Sequence, residues 1–182
     1  MNSGAKIRKV AEDFITFAGK LEYSMKKVNI ISLGCSKNLV DTELLMKQLE
    51  KAGYGVEVDV ENSKAKIVVI NTCGFIGDAK EESINTILEQ VERKQEGEVD
   101  KIYVMGCLSQ RYDQDLKKEI PEVDAYFGKF DWKGILAELG KEYDEKLRNE
   151  RHLTTPPHYA YLKISEGCNR HCAFCAIPII TG

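Results

Sequence analysis

The sequence has no long apolar segment. Its runs of consecutive apolar residues are short, as at 67–70, whereas a membrane-spanning helix needs at least about 18 such residues. Charged residues interrupt the first 24 positions, so no apolar core of a secretory signal can be drawn there. We therefore predict no membrane span and a cytoplasmic location.

The sequence also lacks an excess of charge of one sign. It contains 26 Lys and Arg residues and 29 Asp and Glu residues, and the formal net charge is -3 at pH 7. This balance argues against strong, sequence-independent binding to nucleic acid or to an anionic membrane. The 182 residues, 43% of them hydrophobic, are sufficient for one full domain and part of another.

A fourth cysteine is missing from a cysteine-rich loop near the end of the sequence. Cys168, Cys172 and Cys175 are separated by three residues and then by two. A structural zinc site and an ordinary 4Fe-4S electron carrier both use four protein ligands. Three cysteines therefore leave one coordination position without a protein ligand, where a substrate or cofactor can bind. The alternative is a zinc knuckle with His171 as the fourth ligand, although zinc motifs usually pair two such knuckles at a distance. In a reducing compartment, metal ligation is favoured over disulfides for all six cysteines.

Strand and helix patterns alternate along most of the chain. Short apolar runs rich in β-branched residues, together with one alternating run, predict strands at 28–33, 56–60, 66–72, 101–105 and 123–127. Helical periodicity predicts helices at 41–52, after a cap near Asp78, at 110–120 and at 132–139. This alternation is typical of a doubly wound, mainly parallel α/β sheet of the flavodoxin-like kind.

One cysteine, with a glycine beside it, follows each of the three most apolar predicted strands. These cysteines are Cys35, Cys73 and Cys107. In a parallel sheet they meet at the carboxyl edge, which is where open α/β sheets bind ligands. Three thiolates there can hold a second metal cluster, and glycine allows close approach of backbone and cluster. The alternative is that the three cysteines are buried as small hydrophobic side chains.

The domain organisation follows from these patterns. Residues 1–24 form an N-terminal extension, which is either a short amphipathic helix for a partner or a non-native leader before a start at Met25. Residues 25–140 form the α/β domain. Residues 141–158, which are rich in charge and contain a Pro-Pro pair, form a linker.

The last part, residues 159–182, contains the cysteine-rich loop. An alternating pattern predicts a strand at 159–164, and the loop that begins at Cys168 follows it. A strand followed by such a loop would be the truncated start of a β/α barrel.

Four blocks of the sequence together resemble one family, the methylthiotransferases. The blocks are Gly34-Cys35-Ser36-Lys37-Asn38-Leu39-Val40-Asp41, Asn71-Thr72-Cys73-Gly74-Phe75-Ile76, Gly106-Cys107-Leu108-Ser109-Gln110-Arg111-Tyr112 and Lys163-Ile164-Ser165-Glu166-Gly167-Cys168. The Cys168 loop resembles the signature of the radical S-adenosylmethionine (SAM) enzymes, and Phe174 before its last cysteine fits that pattern. The resemblance covers about residues 25–182. Within the family, Cys-Ser-Lys-Asn and Cys-Gly-Phe-Ile are similar to the RimO branch, the ribosomal-protein methylthiotransferases.

The resemblance implies a substrate, cofactors and site residues. The RimO branch adds a methylthio group to the β-carbon of an aspartate in small-subunit ribosomal protein twelve, with an electron donor such as flavodoxin or ferredoxin. By matching positions, the 4Fe-4S cluster that cleaves SAM would be held by Cys168, Cys172 and Cys175. An auxiliary 4Fe-4S cluster would be held by Cys35, Cys73 and Cys107. Phe174 would lie near the adenine of SAM, or alternatively have a packing role.

The resemblance also implies an incomplete enzyme, and alternatives to it stay open. Most of the family's barrel and its C-terminal recognition domain have no counterpart in the 182 residues, so we expect this chain alone to be inactive. The transfer-RNA adenosine branch is a second substrate class, against which the Cys-Gly-Phe-Ile block argues. A non-catalytic iron-sulfur or metal-binding module would need a fourth ligand at each site. A flavin or nucleotide binder would leave the cysteines unexplained, and the sequence has no Gly-x-Gly-x-x-Gly or Gly-Lys-Ser/Thr loop.

Overall fold

The structure, a computed structural model, describes residues 26–182. The predictions for residues 1–24 and for a start at Met25 lie outside the described residues. None of the helices within 26–182 is long and apolar enough to cross a membrane.

A five-stranded sheet forms the centre of the described chain. Its strands are β1 (Lys27–Ser32), β2 (Gly55–Val58), β3 (Ile67–Thr72), β4 (Lys101–Gly106) and β5 (Ala125–Tyr126). All four strand pairs are parallel, and the strand order is β2-β1-β3-β4-β5. This is the order of flavodoxin-like doubly wound sheets, so the predicted fold class is confirmed for this part of the chain.

Helices connect the strands and cover both faces of the sheet. They are α1 (Ser36–Lys51), α2 (Gly77–Gln95), α3 (Cys107–Glu119), α4 (Trp132–Glu138) and α5 (Ile177–Thr181), with one 3-10 turn at Glu145–Leu147. Successive residues of a strand point to opposite faces, and β3 is buried along its whole length. Val69 therefore packs in the core under α1 and α4, while Val68 and Ile70 pack in the core under α2 and α3. A strand that is covered on both faces has the continuous apolar sequence seen in β3.

Two helices begin earlier than the sequence predicts. The structure starts α1 at Ser36 rather than residue 41, and α3 at Cys107 rather than residue 110. The first turns of both helices carry polar residues that face the strand ends, so apolar periodicity does not reveal them. The predicted cap near Asp78 is also wrong, because Ile76 occupies the N-cap of α2 and Asp78 lies inside its first turn.

The strand predicted at 159–164 is not present. The structure assigns neither helix nor strand to these residues, and Leu162 and Ile164 are largely exposed. A strand needs a neighbour for its backbone hydrogen bonds, and within residues 26–182 no strand lies beside this segment. The predicted start of a barrel therefore has no strand in this structure.

The segment that follows α4 is attached to α1 by polar contacts. Gln48 and Asp144 exchange two hydrogen bonds of 3.0 Å, side chain to backbone in both directions. The buried carboxylate of Glu43 accepts hydrogen bonds from the backbone N–H and the hydroxyl of Thr154 and pairs with Arg151 at 3.4 Å. These contacts direct the chain back along α1 towards the carboxyl edge of the sheet.

A cluster of charged side chains at the amino-terminal end of β4 allows a test of the fold. Asp124 accepts hydrogen bonds from Lys94 Nζ at 2.6 Å, Lys101 Nζ at 2.7 Å and the Ile102 N–H at 2.9 Å. Burial works to raise the pKa of Asp124, but these donors outweigh it and the pKa is lowered from 3.8. A carboxyl with a lowered pKa in the folded state stabilises the fold above its unfolded pKa and loses that contribution as the pH falls.

We expect Asp124→Asn to lower the free energy of unfolding by about 1–2 kcal/mol at neutral pH, because it weakens charge-assisted hydrogen bonds. The difference between parent and variant should shrink as the pH falls below about 4, where the unfolded carboxyl is protonated. Urea unfolding at several pH values measures it, with the exposed Asp115→Asn in α3 as the matched control. A difference that stays constant down to about pH 2.5 would contradict the assignment.

Candidate metal centre at the carboxyl edge of the sheet

Three cysteines from three separate loops line one cavity. Cys35 follows β1, Cys73 follows β3 and Cys107 follows β4, so the parallel sheet brings all of them to its carboxyl edge. The cavity they line has a volume of about 850 Å³. Cys35 is exposed, Cys73 is buried and Cys107 is half-buried. The grouping predicted from the alternation of strands and helices is thus observed in the structure.

Two of these cysteines lie at helix N-termini. Cys35 is the N-cap of α1, and Cys107 is the first residue of α3. The N-terminal end of a helix carries partial positive charge and unpaired N–H groups, which interact favourably with a bound anionic group. Deprotonated sulfur is the form that binds metal, so this placement suits both residues as ligands.

Gly34 allows the first and second cysteine loops to meet. Its φ is +93°, a conformation that L side chains rarely adopt. A Cβ atom on Gly34 would lie 2.8 Å from Cys73 Cβ and 3.1 Å from Cys73 Sγ. The backbone of the β1 loop therefore passes directly against the side chain of the second cysteine.

Asn38 joins all three cysteine loops. This buried side chain donates hydrogen bonds from Nδ2 to Leu33 O at 2.9 Å and to Thr72 O at 3.0 Å. Its Oδ1 lies 3.8 Å from Cys107 Sγ, which donates to it. One amide thus connects the end of β1, the end of β3 and the third cysteine.

Ser83 of α2 holds the backbone of Cys73. Its hydroxyl oxygen accepts a hydrogen bond from the Cys73 N–H at 3.0 Å, and it lies 3.0 Å from Cys73 O and 2.8 Å from Ala79 O. Ser83 is completely buried. The second cysteine is therefore positioned by a helix on one side and by its strand on the other.

The three thiols interact electrostatically. Burial raises the pKa of the Cys107 thiol, and the charges of Cys73 and Cys35 raise it further, while the ammonium of Lys129 works in the opposite direction. Since metal ligation requires thiolates, loading of this cavity should release protons.

The donor set fits an iron-sulfur cluster better than a single ion. Within residues 26–182 no three His, Cys, Asp or Glu side chains are grouped closely enough to hold one metal ion. In a cluster, each cysteine binds a different iron, and the cluster occupies the space between the sulfurs. The three cysteines that line the open cavity offer three separate thiol donors of this kind.

The second set of cysteines lies in a separate loop. Cys168 and Cys172 are exposed and Cys175 is half-buried, and none of the three lines the cavity described above. The Cys175 N–H donates to Cys172 O at 3.1 Å, which turns the chain between these two cysteines. Phe174 is 97% exposed, so the packing role considered for it is not present in this structure.

Several residues of the site are not identified by reasoning from the sequence alone. Asn38 lies inside a block that resembles the methylthiotransferases, but spacing does not indicate its contacts. Ser83 has the appearance of an ordinary helix residue. Lys129, which is 3% exposed and lines the cavity, follows no pattern that distinguishes it from surface lysines.

Comparison with known proteins identifies the family. Residues 27–128 match the sequence model of a family described as Uncharacterized protein family UPF0004. Proteins named ribosomal protein uS12 methylthiotransferase RimO are similar over most of this chain. The protein from Bacteroides thetaiotaomicron is 68% identical over 157 residues, and those from Porphyromonas gingivalis and Cytophaga hutchinsonii are 64% and 55% identical over 156 residues.

In each case the match covers 86% of this chain and 36% of the relative. The chain therefore spans about a third of the length of these curated relatives. The identities confirm the resemblance to the RimO branch that the cysteine blocks indicate. Because the matched residues 27–128 make up more than half of its length, the chain belongs to the family UPF0004.

Proposed function

We propose that this chain is part of a radical SAM methylthiotransferase that modifies an aspartate of ribosomal protein uS12. The observation that carries the proposal is the cavity lined by three cysteines from three different strand ends. A doubly wound sheet can form without a cysteine at any of these three positions. The name of the similar proteins supports both the reaction and the substrate.

The proposal assigns two 4Fe-4S clusters to the two sets of cysteines. Cys35, Cys73 and Cys107 would hold the auxiliary cluster in the cavity. Cys168, Cys172 and Cys175 would hold the cluster at which SAM binds, with Phe174 beside the adenine. When bound, these groups supply the radical chemistry that an unactivated C–H bond requires, and a flavodoxin or ferredoxin in the cytoplasm would supply electrons.

The residues of this chain would position the reacting groups and limit access of water. Asn38 and Ser83 orient Cys107 and Cys73 through the hydrogen bonds described above. The apolar side chains of Phe75, Ile76 and Ile180 contribute to the cavity wall. An apolar wall would disfavour water in the space where the substrate carbon would approach, and a fixed geometry would reduce the entropy cost of the reaction.

Iron and acid-labile sulfide per chain, measured after anaerobic reconstitution, test the proposal. We expect a variant with Cys35, Cys73 and Cys107 replaced by Ala to bind about four irons and four sulfides fewer than the parent chain. The matched variant carries Ala at Cys168, Cys172 and Cys175, and it should retain the iron of the cavity. Iron absorption and electron paramagnetic resonance spectra identify the cluster type in each protein.

Two outcomes would contradict the proposal. If the parent chain takes up no iron but binds zinc tightly, the cysteines form a zinc-binding module and the radical reaction has no basis here. If iron uptake is unaffected by the Cys35, Cys73 and Cys107 replacements, the cavity is not the cluster site.

A further inference from the structure

Four charged residues connect the sheet to the segment that precedes Cys168. Asp41 in α1 and Lys129 after β5 belong to the sheet domain, and their side chains are only 1% and 4% exposed. Lys163 and Glu166 belong to the later segment, and their side chains are 16% and 19% exposed. Charged side chains are rarely buried to this degree unless they are paired.

The four side chains alternate in charge. Lys163 Nζ lies 2.5 Å from Asp41 Oδ1 and 2.9 Å from Glu166 Oε2. Lys129 Nζ lies 3.2 Å from Glu166 Oε2 and 3.9 Å from Asp41 Oδ2. Each of these two carboxylates therefore lies within 4 Å of both ammonium groups. Glu166 Oε1 also lies 3.6 Å from Nζ of the more exposed Lys37 in α1.

The electrostatics favour the ionised forms of the two residues from the later segment, whereas burial raises the pKa of Asp41 against the lowering effect of Lys163 and Lys129. Burial works to raise the pKa of Glu166, but Lys163 and Lys129 outweigh it and lower this pKa to about 2. Burial works to lower the pKa of Lys163, but Asp41 and Glu166 outweigh it and the pKa is raised. At neutral pH the later segment thus meets the sheet domain through full charges.

This network lies beside the three-cysteine cavity. Lys129 and Glu166 are both part of the cavity lining, and Glu166 is separated from Cys168 by a single residue. On the far side of the loop, Ile180 of α5 is 4% exposed and lines the same cavity. The Cys168 N–H also donates to Gly182 O at 2.9 Å, which closes the loop between its two anchors.

Backbone pairing does not hold the segment in place. Residues 159–164 form no strand, and their apolar side chains at Leu162 and Ile164 are 81% and 86% exposed. The ion pairs therefore hold this segment against the sheet domain, together with the contact of Lys163 Nζ with the Phe130 ring at 5.1 Å.

We propose that Asp41, Lys129, Lys163 and Glu166 form a docking network that positions the Cys168 loop at the rim of the three-cysteine cavity. The proposal rests on the proposed function only for the role of this placement, which would keep the second set of cysteines next to the cavity of the first set. The docking itself is a property of the protein chain and can be measured without bound metal.

Trypsin cleavage after Lys163 reports on docking, because trypsin must bind the lysine side chain that the network engages. We expect Lys129→Met to accelerate this cleavage at least about tenfold, since removing one partner leaves buried charge uncompensated. Lys129 is far from the cleaved bond in sequence, so the change does not alter the protease recognition sequence. Mass spectrometry of the peptides that end at Lys163 gives the rate, and cleavage after exposed Lys64 in the loop before β3 is the internal reference.

Matched variants separate docking from general destabilisation. Lys133→Met makes the same change at a largely exposed position of α4 and should leave cleavage after Lys163 unchanged. Lys129→Arg keeps the positive charge and should restore most of the protection. The double variant Lys129→Met with Glu166→Gln should be cleaved more slowly than independent effects of the two changes predict, because the partners share one interaction.

An unchanged rate of cleavage after Lys163 in Lys129→Met, with the chain still folded, would overturn the proposal. If Lys129→Met also accelerates cleavage after Lys64, Glu166→Gln decides the matter, since Glu166 lies outside the sheet core. In that variant, cleavage after Lys163 must increase while cleavage after Lys64 does not. Iron binding is measured separately, so a chain that docks its loop but binds no iron refutes the proposed function and not the docking network.

Discussion

Replacement of Gly106 by Ala is expected to remove most of the stability of the sheet domain. Gly106 ends β4 with φ at +106° and ψ at -159°, a region that only glycine adopts readily. A Cβ atom there would lie 2.5 Å from Thr72 O and 2.7 Å from Thr72 N. Thr72 is the register partner of Gly106 in β3, so neither strand can move without breaking the parallel ladder. We expect a loss of at least about 4 kcal/mol, a large part of the 5–15 kcal/mol typical of a domain.

Equilibrium unfolding in urea, under reducing conditions and without metal, measures this loss. Gly97→Ala is the matched control, because Gly97 follows α2 with φ at +78° but has open space where its Cβ would lie. That change carries the cost of the backbone conformation alone, about 1–2 kcal/mol. If Gly106→Ala is no less stable than Gly97→Ala, the backbone of Thr72 does not limit the space at position 106.

Asn38→Ala is expected to have the second largest effect. The change removes the two donors that satisfy Leu33 O and Thr72 O, and one of these hydrogen bonds is entirely buried. Each buried carbonyl left without a donor costs about 1–3 kcal/mol, so we expect a loss of about 2–4 kcal/mol. The variant also loosens the loops that carry Cys35 and Cys73, because Nδ2 of Asn38 no longer connects Leu33 O to Thr72 O, so iron retention in the cavity should fall.

Urea unfolding and iron content after reconstitution measure the two effects of Asn38→Ala. The control is Asn85→Ala, which makes the same change on the exposed surface of α2. Alanine has the higher helix propensity, so this control should be neutral or slightly more stable. Equal stability of both variants would contradict the role of Asn38 in joining the cysteine loops.

The topology of the sheet could be predicted because its signals are local. The sequence of β3 is continuously apolar because both of its faces are buried. The sequence of β2 is short and alternating because β2 lies at an edge of the sheet. Helices between the strands require parallel pairing, and parallel pairing requires that Cys35, Cys73 and Cys107 share one edge. The side-chain contacts at that edge could not be predicted, since strand order alone does not specify which polar atoms meet.

Two errors have the same physical origin. The helix starts at Ser36 and Cys107 were missed because contacts with the strand ends, rather than apolar periodicity, stabilise those first turns. The strand predicted at 159–164 was wrong because an alternating pattern indicates compatibility with a sheet and does not provide a neighbouring strand. The local sequence pattern shows which secondary structure a segment is able to adopt, and tertiary contacts determine which one it adopts.

By itself, the sequence determined the doubly wound class, the cysteine edge and the family, because these depend on periodicity, chain order and motif identity. Only the tertiary structure decided that Asn38 joins three loops and that Lys129 meets Glu166 across 36 intervening positions. Such contacts depend on distances of a few ångströms between residues far apart in the chain. They arise only when the packed sheet and its helices bring those atoms together, and no local pattern encodes them.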